Sequence, residues 1–174
     1  LSNYRTGQAI WTGANIRLPA GPITVIGSSS IAFGGADYSD ASTAYLLTLT
    51  APAITLNGVN INSRGPLVLN TAVLTGVGQT INATSFIINP TTNFTISGIK
   101  FNQALVILNP SYSTTLTNVT ANSGLSINYS GGTWTPSTAP ITITGGSFTG
   151  TNYIAGGSVS INNAASLFPT GVFN

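Results

Sequence analysis

One short frame restricts the fold of this chain more than any other feature: apolar residues at offsets 0, 2, 5 and 7, with two polar or small residues between the halves. It occurs as Ile54, Leu56, Val59, Ile61 and again as Phe94, Ile96, Ile99, Phe101. Weaker copies are Ile81, Ala83, Phe86, Ile88, then Leu116 with Val119, and Ile141 and Ile143 with Phe148. The junctions read Asn57-Gly58, Ser97-Gly98, Thr84-Ser85, Thr117-Asn118 and Thr144-Gly145. Side chains alternate between the faces of a strand, so two short strands joined by such a junction bring all four apolar residues to one side. The residues around the frames agree. Thr, Ile and Val dominate, and their branched Cβ favours strands over helices. Gly, Asn, Ser and Pro interrupt at short intervals, the mark of many short strands joined by turns. The chain reads as all-β.

Two geometries satisfy the frame. In a tight hairpin, Leu56 would face Val59 and Ile54 would face Ile61 across an antiparallel pair. In a parallel β-helix, each frame would be a strand, a sharp corner and another strand, repeated once per turn of the solenoid. A solenoid prefers a steady period. Frames beginning at 54, 81, 94, 114 and 141 are separated by 27, 13, 20 and 27 residues. That irregularity favours a β-sandwich, with the parallel β-helix as the alternative.

The N-terminal segment has a different character. Ile10, Ala14, Ile16 and Leu18 share one face of an alternating strand that ends at Pro19, ahead of Gly21-Pro22. Upstream, residues 1–8 are polar and carry Arg5, as an exposed arm would. Downstream, Ile23 to Ile26 reads as a second strand, followed by a flexible Gly27-Ser28-Ser29-Ser30. Residues 1–20 therefore read as an arm, and residues 21–174 as a single all-β head domain. The ordinary role for the arm is a first strand of the chain's own sheet. The alternative is a donor strand that completes a neighbouring copy, with Ile10, Ala14, Ile16 and Leu18 filling alternate pockets. Head-to-tail exchange does not close on itself and makes a filament. The apolar Leu167, Phe168, Val172 and Phe173 leave the C-terminus as a second possible donor.

Charge decides which functions remain open. Lys, Arg, Asp and Glu make up only 3% of the chain, against about 25% in an average soluble domain. Thr, Ser and Asn together account for 63 of its 174 residues. There is no His, Cys or Met, one lysine (Lys100), and only Asp37 and Asp40 as acids. General acid–base catalysis lacks a group poised near neutrality, and zinc, iron and copper lack their usual ligands. A non-enzymatic protein without cofactor or bound metal is expected. A net charge of +2 cannot track a phosphate backbone, so no nucleic-acid partner is expected. No apolar run approaches the roughly 20 residues that span a bilayer. Leu1 at the start is what a processed secreted chain would show. The missing Cys, Met and His also suit an exterior location.

Few residues stand out as sites. The sequons Asn82-Ala83-Thr84, Asn93-Phe94-Thr95, Asn118-Val119-Thr120 and Asn128-Tyr129-Ser130 are candidates for N-linked glycans. Their number is what this Asn, Ser and Thr content yields by chance, so placement matters more than count. Asn118 falls in an expected turn, and Asn93 follows the Asn89-Pro90 break. Asp37 and Asp40 read as solvated turn residues, lacking calcium-loop spacing or the separation of a glycosidase pair. Lys100 points away from the apolar side of its frame. It reads as solvated, or as one end of an isopeptide crosslink to an asparagine or aspartate, for which only Asp37 or Asp40 could supply the adjacent buried carboxylate.

An alternating apolar N-terminal strand, a nearly uncharged Thr/Asn/Ser-rich body and scattered sequons together resemble the archaeal thread pilins. Those are glycosylated extracellular filament subunits of Sulfolobus-type archaea, similar in architecture to bacterial type I pilins. The resemblance rests on architecture and composition over the whole chain. It implies an immunoglobulin-like sandwich completed by the neighbouring subunit's N-terminal strand, a head-to-tail homopolymer, and an adhesion or biofilm role at the cell surface. The repeated frame also looks like that of pectate-lyase-type β-helices. On that alternative the chain is a secreted module that binds carbohydrate or a flat surface through Thr and Asn ladders lying in register on one face. A viral or surface-layer shell protein is a third reading.

Overall fold

The computed structural model describes residues 2–11, 23–34, 38–39, 46–108, 112–127, 129–130, 133–134, 139–155, 157–162 and 170–173. Among them every regular element is a strand, and all but one pair run parallel to their neighbours. The protein is an all-β, parallel-stranded solenoid. The β-sandwich expected from the frames does not form. Leu56 and Val59 do not face each other across a hairpin; they flank a corner within one rung, and each strand pairs with the rungs before and after it.

Each complete rung has three sides, named here faces A, B and C in chain order. Leu67–Asn70 lies on face A, and Val73–Asn82 turns from face B onto face C. The next rung repeats this with Phe86–Ile88 on A and Phe94–Phe101 on B and C. Then come Leu105–Ile107, Thr114–Thr117 and Thr120–Ala121. Leu125–Ile127, Pro140–Thr144 and Ser147–Phe148 follow in the same order. The rung before this series is Leu47–Thr50, Ala53–Asn57 and Ile61–Asn62. At the N-terminal end, Ser2–Trp11 and Ile23–Gly34 each cover faces A and B, and Tyr38–Ser39 adds face C. At the C-terminal end, Thr151–Ile154 and Thr170–Phe173 extend face A, and Ser158–Asn162 extends face B.

The true period is visible in the register. Ile54 pairs with Leu74, Ile96 with both Leu74 and Leu116, and Leu116 with Ile143. By register the equivalent face B positions are Ile54, Leu74, Ile96, Leu116 and Ile143, so the successive repeats are 20, 22, 20 and 27 residues. The rung at Leu74 is disguised because Gly76 stands where the frame at 54 has Leu56, Gln79 lies opposite Ile99, and the register shifts between Ser97 and Ile99. Gly76 is small because a Cβ there would meet the Ile99 side chain and Gln79. The Gln79 amide folds back on the backbone of Val77. The frame read at 81 is a different corner, from face C to face A. The one long rung contains an antiparallel hairpin, Tyr129–Ser130 with Thr133–Trp134, whose first strand lies beside Leu105–Ile107 on face A.

Inward positions form continuous apolar files. Ile61, Ile81, Phe101, Ala121 and Phe148 stack on face C, and Leu49, Leu69, Ile88, Ile107, Ile127 and Ile154 on face A; all are buried. Phe86 meets Phe101 edge to face at 5.0 Å, linking two faces across the interior. At about 1.5–3 kcal/mol per buried side chain, a rung gains most when a rung stacks on either side of it. Corners are stacked too: Leu108 N donates to Ile88 O at 2.8 Å, and Asn118 N to Thr144 O at 2.8 Å. At the B to C corner Gly58, Gly78, Gly98, Asn118 and Gly145 all adopt positive φ, which turns the chain within one or two residues.

Two N-terminal expectations change. The first strand begins at Ser2, inside the stretch read as a polar arm, and pairs with Ile23–Gly34 of its own chain. The segment 27–30 is a continuous part of that second strand, with a register irregularity opposite Thr6 and Gln8. Polar residues suffice there because rung-to-rung hydrogen bonds supply the order. No helix among the described residues is long and apolar enough to cross a membrane.

Candidate functional site

Because inward positions are apolar, whatever the chain recognises must be met by outward residues, and the three faces differ. Face B is the regular one. Thr95 pairs in register with Thr115, Thr115 with Thr142, and Thr142 with Ser160. Two residues further along each strand, Ser97 pairs with Thr117, Thr117 with Thr144, and Thr144 with Asn162. The second file continues toward the N-terminus through Thr75 and Thr55, and the first through Val73 and Ala53. The result is a two-file grid, complete over four rungs, in which each rung shows a polar–apolar–polar triplet with its centre inward. Parallel rungs lie about 4.7–4.9 Å apart, and outward residues two apart on a strand about 6.6 Å apart. The Thr side chains of the grid are half-buried, each flanked by its neighbours above and below. Thr75 Oγ1 lies 3.4 Å from Thr55 Oγ1, so the hydroxyls link rung to rung. Side-chain ladders of this kind are among the features that stabilise sheets with less than the usual strand twist.

Face C carries an asparagine ladder. Asn62 pairs with Asn82, and Asn82 Nδ2 donates to Asn62 Oδ1 at 2.6 Å. One rung on, Asn102 Oδ1 accepts from Ala83 N at 3.0 Å, and Asn122 follows at the next equivalent position. This ladder ties rungs together at the corner between faces C and A. Face A is mixed, with Thr48, Val68, Ile87, Val106, Ser126 and Tyr153 at successive outward positions. At the corner between faces A and B, an open groove of about 330 Å³ is lined by Thr50, Ala51, Pro52, Asn70, Thr91 and Thr92, among others. No charged side chain lines it.

The residues singled out from sequence are scattered over the solenoid. Ile10 lies on the first strand opposite Ala32 of the second; Ala14, Ile16 and Leu18 lie outside the described residues, as do Asp37, Asp40 and Asn128. Asn82 sits in the ladder, with the nitrogen that a glycan would occupy already donating to Asn62. Asn93 is exposed, and its Oδ1 accepts from Ser113 N at 3.2 Å. Asn118 is exposed at a corner with φ 51°. Lys100 is exposed on face C, between Thr80 and Thr120 of the adjoining rungs. None of the described ones lies in the four-rung grid. The grid residues were missed individually, although Thr95-Ile96-Ser97, Thr115-Leu116-Thr117, Thr142-Ile143-Thr144 and Ser160-Ile161-Asn162 are legible as recurring triplets once the rung period is known. Comparison of the chain with protein-family models, with curated proteins and with solved structures finds no match in any of the three.

Proposed function

We propose that this chain is an extracellular β-helix module that binds an extended, ordered surface through face B. The observation that carries the reading is the in-register pair of polar files running across four rungs of one face, with hydroxyls in both files over three of them. A single small ligand needs a concave site with convergent polar groups. A repetitive array instead matches a partner that is itself repetitive, since each rung adds one weak contact of the same kind. Pelleting the protein with a panel of ordered insoluble matrices, namely microcrystalline cellulose, chitin and polycrystalline ice, tests this. Uptake by at least one of them, lost when Thr117→Tyr raises a bulky ring from the centre of the grid, is the expected result. Equal uptake of both proteins by every matrix defeats the reading.

A filament subunit is the second reading, favoured by the ends of the solenoid. Among the described residues, Ser2–Trp11 pairs on one side only, as do Ser158–Asn162 and Thr170–Phe173 at the other end. Such edges add strands readily, and stacking one copy's last rung on the next copy's first gives an open head-to-tail polymer. Electron microscopy of the pelleting sample separates the two readings: unbranched filaments favour the subunit, and discrete single solenoids favour the binding module.

A further inference from the structure

Resting on the surface-binding reading, we infer that the ordered surface engaged by face B is crystalline water. The grid supplies two repeats at right angles, about 4.7–4.9 Å between rungs and about 6.6 Å along each strand. The first lies near the short axial repeat of oxygens in hexagonal ice, and the second approaches the long axial repeat. Water held in the trough between the Thr95–Thr115–Thr142 and Ser97–Thr117–Thr144 files therefore falls close to the lattice positions of a prism face. Approximate registry in both directions lets a short rigid grid join a crystal, because a strongly misfitting direction would displace successive rungs from their sites.

The side chains suit that partner. Threonine has a stiff χ1, and here each one is wedged between equivalents on the adjoining rungs, so little rotamer entropy remains to be lost on docking. Its hydroxyl anchors a water, and its methyl group leaves neighbouring waters to bond with each other. None of the outward positions of face B among the described residues holds a charged or aromatic side chain. A charge would orient water radially around itself. The absence of aromatics removes the stacking platform on which sugar rings are usually held, which sets face B apart from a polysaccharide-binding plane. The only described side chains with formal charge that the structure places in detail, Arg64 and Lys100, lie off this face. The hairpin of the long rung begins beside Leu105–Ile107 on face A.

The test compares the full chain with Thr117→Tyr at the grid centre and Thr120→Tyr on face C, using incorporation into a slowly grown ice shell and thermal hysteresis. Thr142→Lys stands in if Thr117→Tyr fails to give the wild-type circular dichroism spectrum. Wild type and Thr120→Tyr are expected to enter ice and depress the growth temperature, and the grid variant to lose about tenfold of the effect. Exclusion of the wild type from ice, or equal activity of the grid variant, overturns the inference. Uptake by cellulose or chitin that is sensitive to Thr117→Tyr, with no ice activity, overturns the ice assignment and leaves the surface-binding reading standing. No grid-dependent uptake by any matrix overturns both.

Discussion

At the residue scale, the corner glycines show how one position can be required for two separate reasons. Gly58 and Gly98 occupy the same corner of different rungs, with φ of 77° and 64°. A Cβ at Gly58 would meet open space, whereas one at Gly98 would collide with the carbonyl oxygen of Gly76 on the adjoining rung. Gly58→Ala therefore pays only for the left-handed backbone, about 1 kcal/mol. Gly98→Ala adds the displacement of a neighbouring rung, about 1–3 kcal/mol more. Chemical denaturation of the two variants should show the second clearly less stable, and equal midpoints would contradict the close approach. Asn152 makes the complementary point, since it is fully buried at a position that Leu125 holds one rung earlier. It is tolerated because its Oδ1 accepts from Leu125 N at 2.8 Å and its Nδ2 donates to Gly150 O at 3.2 Å.

At the element scale, the all-β class and most inward residues were legible, because a period of two survives whichever sheet the strands enter. Ile54, Leu56, Val59, Ile61, Phe94, Ile96, Ile99 and Phe101 are all buried as the frames require. The sheet type was not legible. An antiparallel hairpin and a parallel corner place the same four residues on one side, and only the repeat distance separates them. That distance was blurred by Gly76 and Gln79 in one rung and by the hairpin inserted in another. The grid was lost for the same reason: without a period, threonines at 95, 115 and 142 have no cause to be compared. If the hairpin is an excursion from a corner, deleting residues 129–135 should bring the long rung close to the length of its neighbours. The expected outcome is an unfolding temperature within a few degrees of wild type and retained matrix binding. Collapse of the β circular dichroism signal in this variant would show instead that the hairpin holds its rung in place.

At the scale of the whole molecule, order comes from hydrophobic files and rung-to-rung hydrogen bonds, with almost no electrostatics. Asp37 and Asp40 are the only side-chain acids, and there is no His or Cys. With no side chain whose ordinary pKa lies between about 4 and about 10, side chains supply little proton uptake on unfolding across that interval. The unfolding midpoint should therefore stay constant from about pH 5 to about pH 9 and respond weakly to salt. A midpoint that moves steadily over this range would mean that a titrating group contributes to folding after all. Stability should also be uneven along the solenoid axis. Inner rungs have a neighbour on both sides and terminal rungs on one, so hydrogen exchange should be slowest near Leu74, Ile96 and Leu116.

Inserting a hairpin between two strands of one rung has a metrical consequence. A rung's contour length can change without altering the distance between one strand and the next, so the solenoid behaves as a ruler whose graduations are fixed by the peptide hydrogen bond. Any small difference between that graduation and the spacing of a partner lattice accumulates like the offset of a vernier scale. A grid four rungs long stays in phase where a much longer one would drift out. Duplicating a rung would then strengthen attachment only up to the length at which the two scales fall half a division apart, and beyond it each further rung would contribute nothing.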